Sequence, residues 1–218
     1  MNPMDAPHLT ALAIAAIAAI PSGYAGAMTA RALSGEPVPA TATVALNLLV
    51  NVWAALVLPP DWLLAMGCAL GWALIVLAAV DAVALRLPDM LTLPLIAAGI
   101  AVAYFRPEYD VRDYAIGAAL GAGLFYGIAT LYRAMRGREG LGLGDVKLAG
   151  AMGAWLGWQA LPFAMLVACA AGFVWVGIAL LRRGADALSE RIPFGIALCF
   201  ALWVVWLHGL PAFLDPNL

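Results

Sequence analysis

Three aspartates supply most of the chemistry that this sequence can offer. Asp81 follows the unbroken apolar run Leu74 to Val80. Asp89 follows Pro88 in the segment Asp81-Ala-Val-Ala-Leu-Arg-Leu-Pro88-Asp89-Met-Leu-Thr92. Asp145 stands in Gly142-Leu143-Gly144-Asp145-Val146-Lys147-Leu148, beside Lys147, the only lysine in the chain. Two carboxylates brought together cannot both ionise cheaply, so one keeps a proton while the other acts as a base. A water held between them can then attack a carbonyl whose oxygen the protonated partner polarises. That chemistry needs no metal, Ser, Cys or His. A carboxylate pair also suits a proton- or cation-coupled transporter, because ionisable residues at membrane depth serve as ion sites as well.

Each aspartate also has a structural reading. Asp89 and Asp145 each precede an apolar run and fit as helix N-caps, whose oxygens accept the first free N–H groups. Asp81 resists that reading. It is expected at the C-terminal end of a helix, where the macrodipole disfavours a carboxylate. Gly140, Gly142 and Gly144 alternate before Asp145. Lacking side chains, they admit close backbone approach and unusual dihedrals, more than a cap requires. The pair Gly153 and Gly157 reads as a helix-packing face. Lys147 suits a carboxylate partner, the lipid surface or simple topology.

The elements that position these residues are membrane helices. The chain has 218 residues, of which 65% are hydrophobic and only 11% charged. A soluble domain carries about 25% charged residues, so this surface cannot clothe a soluble globule. Spans of roughly 20 apolar residues fit the charge-free stretches. They are expected at about 9–27, 43–58, 62–80, 90–105, 113–132, 146–160, 162–181 and 193–209, with a break at Gly157-Trp158-Gln159 between the sixth and seventh. The expected fold class is thus all-α, a polytopic transmembrane helical bundle of about eight helices. No strand-like alternation points to a barrel. The domain division is expected as residues 1–80, three N-terminal helices, and residues 81–218, the core carrying the motifs.

Alternating the loops sorts the basic residues. One side receives Arg31, Arg86, Arg133, Arg136, Arg138, Lys147, Arg182, Arg183 and Arg191; the other receives only Arg106 and Arg112. The richer side is expected to be cytoplasmic, which places both termini outside. Residues 1–8 hold Asp5 and no Lys or Arg, so the first helix reads as a retained span and not a signal peptide. Cys68, Cys169 and Cys199 fall inside expected spans and read as buried apolar thiols. His8 and His208 are far apart in sequence and form no evident metal site or triad. No cofactor, metal or nucleic-acid partner is expected; membrane lipid is.

At this point a family resemblance becomes specific. Asp81-x7-Asp89 with Leu87-Pro88-Asp89-x-Leu91-Thr92 resembles the first motif of the type IV prepilin peptidases. Gly142-Leu-Gly-Asp145-x-Lys147-Leu148 resembles their Gly-x-Gly-Asp motif. Gly153-Ala-Trp-Leu-Gly157-Trp and Ile192-Pro-Phe-Gly195 are similar to later elements of the family, although the family's Pro-Phe-Gly-Pro reads Pro193-Phe194-Gly195-Ile196 here. The resemblance implies a cytoplasmic-membrane aspartyl endopeptidase that removes a short basic leader from prepilins or pseudopilins of a type IV pilus or type II secretion system. By position it implies Asp81 and Asp145 as the catalytic pair, with Pro88, Asp89, Gly142, Gly144 and Lys147 in support. Bifunctional members carry a methyltransferase region in the first cytoplasmic loop, often with paired C-x-x-C zinc ligands. Here that loop is expected at about 28–42 and has no cysteine, so peptidase activity without N-methylation is expected. The first 80 residues match the family only loosely. A transporter using Asp81 and Asp145, or a non-catalytic assembly subunit that tolerates their loss, are the rivals.

Overall fold

The computed structural model describes residues 6–137, 141–184 and 193–211. Asp5, Arg138, Glu139, Gly140, Asp186, Glu190, Arg191, Ile192 and Asp215 lie outside the described residues. Seven helices and no strand are found among those described. They are α1 (Ala6–Ser34), α2 (Ala40–Val57), α3 (Trp62–Ala84), α4 (Asp89–Tyr104), α5 (Val111–Arg136), α6 (Leu143–Arg183) and α7 (Phe194–His208). Five of them, α1, α2, α3, α5 and α6, are long and apolar enough to cross a membrane. The shorter α4 and α7 are also apolar. The protein is a multi-pass membrane protein.

The count of seven against the expected eight comes from α6. Its 41 residues are two helices that meet at a kink at Gly157, where φ is 75 and ψ 169, so the expected sixth and seventh helices are both present. That left-handed backbone suits glycine and no β-carbon-bearing residue without strain. The expected break is therefore present as a kink, not as a loop. Gly157 makes this bend and still packs across the helix interface with Gly153, since a β-carbon on Gly117 would come within 2.6 Å of the Gly153 carbonyl oxygen and 2.8 Å of the Gly157 carbonyl carbon.

The chain divides into two compact units, residues 1–84 and 85–218. In the first, α1, α2 and α3 pack against one another. A β-carbon on Gly23 would come within 2.6 Å of the Val44 Cα, so glycine sets the closeness of α1 and α2. Polar groups bind the three helices, since in an apolar medium each buried donor must find an acceptor. Asn47 Nδ2 on α2 donates to the Ala19 carbonyl at 3.0 Å and to Ser22 Oγ at 2.6 Å. Trp72 Nε1 on α3 donates to the Ser22 carbonyl at 3.0 Å. Pro21 lies inside a continuous α1, and α1 and α2 are joined by only residues 35–39. The first connection is thus much shorter than the expected 28–42. Helix α1 runs on because Arg31, Ala32 and Leu33 are compatible with helix and Gly35, at φ 77, ends it.

In the second unit α6 is the hub, touching α4, α5 and α7. Small residues make the contacts. A β-carbon on Gly153 would overlap the Gly117 carbonyl, and one on Gly121 would overlap the Ala149 carbonyl. Gly99 lets α4 approach within 2.6 Å of the Ala154 carbonyl by the same measure. Trp155 Nε1 donates to the Leu95 carbonyl at 2.8 Å, a buried cross-link from α6 to α4. Of the three cysteines, Cys199 is buried, Cys68 half-buried and Cys169 exposed. The expectation of three buried thiols fails at Cys169, which faces outward on α6. Hydropathy marks a residue as apolar but does not say whether it meets protein or lipid.

Candidate active site

Asp81 belongs to the first unit. Helix α3 continues past the expected end to Ala84, so Asp81 lies in its last turn and is 5% exposed. A buried carboxylate near the negative end of a helix dipole is a costly arrangement. Leu85, immediately after α3, has φ 50. It takes the left-handed position that normally goes to glycine at a helix C-terminus, at a cost of about 1–2 kcal/mol.

The second unit brings the other motif residues together. Helix α4 starts at Asp89, and its N-cap is Pro88 at φ −72 and ψ 135. Proline fixes φ and biases its predecessor towards extended backbone, so Leu87-Pro88 delivers the chain into α4. The Pro88 carbonyl accepts from Leu91 N and Thr92 N, both at 3.1 Å, and from Thr92 Oγ1 at 3.3 Å. The expectation that Asp89 caps α4 fails, because Asp89 is already helical and makes no cap bond. Its carboxylate instead meets Lys147 Nζ at 2.5 Å. This ion pair ties the start of α4 to the start of α6. Lys147 is 33% and Asp89 58% exposed in their side chains.

Asp145 lies in the first turn of α6 and is half-buried. The N-cap is Gly142, without a side-chain cap bond, so Asp145 is not the cap either. Asp145 N donates to the Gly142 carbonyl at 3.1 Å. Its Oδ2 lies 3.4 Å from where a Gly142 β-carbon would be, so glycine leaves that flank of the carboxylate open. A carboxylate in the first turn is favoured by the macrodipole. Gly144 serves packing: a β-carbon there would reach within 2.8 Å of Leu87 Cβ and 3.1 Å of Leu87 N. Neither Gly142 nor Gly144 has positive φ, so close approach accounts for Gly144 and unusual dihedrals for neither.

Pro88, Asp89, Gly142, Gly144, Asp145 and Lys147 thus form one cluster, in which Leu87 and Gly144 pack together and Lys147 bridges to Asp89. Leu87 is 6% exposed. The sequence places Leu87 in the first motif without a role; that role emerges only from its contact with Gly144.

The two aspartate motifs, each at a helix end, fall within one family match. Residues 68–177 match the model of the type IV leader peptidase family, and the chain belongs to that family. The match contains both Asp81 and Asp145. Among relatives, the prepilin leader peptidase/N-methyltransferase of Aeromonas hydrophila is 38% identical over 165 residues, covering 75% of this chain and 56% of that protein. The protein of that name from Burkholderia pseudomallei is 40% identical over 142 residues, covering 65% and 46%. The one from Pseudomonas putida is 36% identical over 140 residues, covering 64% and 48%. The chain therefore spans about half the length of the curated relatives it matches. No solved structure matches the chain. Nothing in these likenesses supports the transporter reading.

Proposed function

We propose that the chain is a membrane-embedded aspartyl endopeptidase of the cytoplasmic (inner) membrane. It removes the short basic leader from prepilins or pseudopilins at the cytoplasmic face. The observation that carries this reading is the family match across residues 68–177, which contains Asp81 and Asp145 within their motifs. The names of the relatives supply the substrate class.

In this proposal Asp81 and Asp145 provide the two carboxylates. Asp145 sits in the first turn of α6, an end that suits a carboxylate, whereas Asp81 lies buried in the last turn of α3. Asp145 is then the base that takes a proton from water. Asp81 is the acid that donates to the carbonyl oxygen as the tetrahedral intermediate forms. On collapse the C–N bond breaks, the proton gained by Asp145 passes to the leaving amine, and a hydroxyl of the intermediate returns its proton to Asp81 as the carboxyl product forms. Lys147 and Asp89 act at one remove, fixing the start of α6 against the start of α4. The basic residues sorted to one side support a cytoplasmic position for this end of the bundle.

The test is co-expression of the chain with a type IV prepilin, scored by gel mobility and N-terminal sequencing. The expected product is shortened, with a new N-terminus between the basic leader and the apolar segment. A prepilin of unchanged mass and N-terminus would contradict the proposal. Chelators are expected to leave the rate unchanged, since the proposed chemistry uses only carboxylates.

A further inference from the structure

At the end of the second unit remote from Asp145 lies a cavity of about 470 Å³, among the C-terminal ends of α4 and α7, the start of α5 and the bend of α6. That volume is in the range of small-ligand pockets. Its walls combine two kinds of group. Glu108, Asp110 and Asp113 line it together with one guanidinium, Arg106, so carboxylates outnumber cations in its described lining; Asp110 Oδ1 also accepts from Arg112 N at 2.9 Å, capping α5. Tyr109, Tyr114, Trp155 and Trp206 supply aromatic surface. Tyr109 and Tyr114 have ring centroids 5.3 Å apart, and Trp155 meets Trp206 edge to face at 5.7 Å.

The wall is built, not incidental. Asp113 accepts from Trp158 Nε1 at 3.0 Å and Gln159 Nε2 at 2.7 Å, so the kink at Gly157 is secured to α5. Arg106 Nε donates to Glu108 Oε1 at 2.6 Å, and its Cζ stands 4.2 Å from the Tyr109 ring centroid. A bond from the Glu108 backbone, then one from Arg106, hold the Glu108 carboxyl below the usual range. It is an anion at neutral pH. The Tyr109 ring face already receives a cation, which is what an aromatic face of this kind favours. The ion pair uses Nε of Arg106; the two terminal nitrogens are the donors that suit a phosphate. Tyr104 and Phe105 at the end of α4 are 71% and 72% exposed. Exposed aromatic residues at the end of an apolar helix mark the level of the lipid headgroups.

We propose that this cavity binds the phosphoethanolamine headgroup of a membrane phospholipid. The ammonium lies among Glu108, Asp110 and the ring faces that Arg106 does not cover, and the phosphate lies on Arg106. The acyl chains remain outside, along the apolar helices. Nothing in this proposal depends on the peptidase reading.

The test uses the full chain purified in detergent, with dioleoylphosphatidylethanolamine, dioleoylphosphatidylglycerol and soluble O-phosphoethanolamine as probes and native mass spectrometry as the readout. The wild type is expected to retain the ethanolamine lipid about fivefold more than the glycerol lipid. Glu108→Gln and Tyr109→Leu should erase that preference, whereas Arg106→Gln should weaken both lipids alike. Asp61→Asn, in the other unit, should change nothing. Equal retention of the two lipids by the wild type would overturn the proposal, as would a preference that survives Glu108→Gln and Tyr109→Leu. Soluble O-phosphoethanolamine binding as tightly as the lipid would overturn the lipid as the source. Unchanged elution and thermal midpoint in the variants keep these outcomes readable.

Discussion

Asp81 and Asp145 are the same residue type in opposite settings. Asp81 lies in the last turn of α3 and is buried. Asp145 lies in the first turn of α6 and is half-buried. The helix dipole opposes a negative charge at the first and supports one at the second. Residues retained at a cost to stability are the ones most readily explained by chemistry. Asp81 meets that description by position alone, while Asp145, at an end that suits a carboxylate, does not.

This contrast can be broken at several levels. The largest effect is expected on catalysis: Asp81→Asn or Asp145→Asn should each lower prepilin cleavage by about 10²–10⁴-fold. The same variants should diverge in stability. Asp81→Asn removes a buried ionisable group from an unfavourable helix end and should raise the thermal midpoint. Asp145→Asn should lower it by the equivalent of about 0.3–1 kcal/mol, the usual worth of a dipole-favoured carboxylate. Shifts of equal sign in thermal melts would show that helix position does not distinguish the two.

Packing gives the next effect. A β-carbon at Gly153 overlaps the Gly117 carbonyl, whereas Gly123 has open space around it. Gly153→Val should cost about 3 kcal/mol or more, read as loss of folded protein in detergent. Gly123→Ala should leave the yield and midpoint unchanged or slightly raised. The Lys147–Asp89 pair is partly exposed, so Lys147→Gln should cost about 1 kcal/mol or less in stability. Its cleavage loss should be shared with Asp89→Asn in a double-mutant cycle rather than multiplied. The smallest effect belongs to Leu85. Leu85→Gly relieves its left-handed backbone and should raise stability by at most about 1 kcal/mol, since added freedom in the unfolded chain offsets part of the gain.

Much of this organisation was legible from the chain. Charge-free stretches located the helices, because a span cannot hide many charges in lipid. Gly157 with Trp158 and Gln159 marked the bend in α6. What failed was local. Asp89 and Asp145 read as caps because sequence preference does not reveal where the first helical residue falls. Pro88 and Gly142 took those positions, leaving Asp89 to pair with Lys147 across 58 residues. A contact of that range has no signature in one sequence. The role of Gly144 was half legible: its lack of a side chain was evident, but its neighbour Leu87 was not. The cavity opposite Asp145 was missed for the same reason. Tyr109, Asp113, Trp155 and Trp206 are scattered along the sequence, and only the fold gathers them.

The central claim is that two carboxylates act as one catalytic unit, and cleavage kinetics test it most directly. The purified chain, each single Asp→Asn variant and the double variant would be compared on one prepilin. Groups that act together give non-additive losses. Each single variant is therefore expected to be about as inactive as the double variant. A single variant that cleaves at the wild-type rate, or a double variant whose loss is the product of the two single losses, would contradict the account.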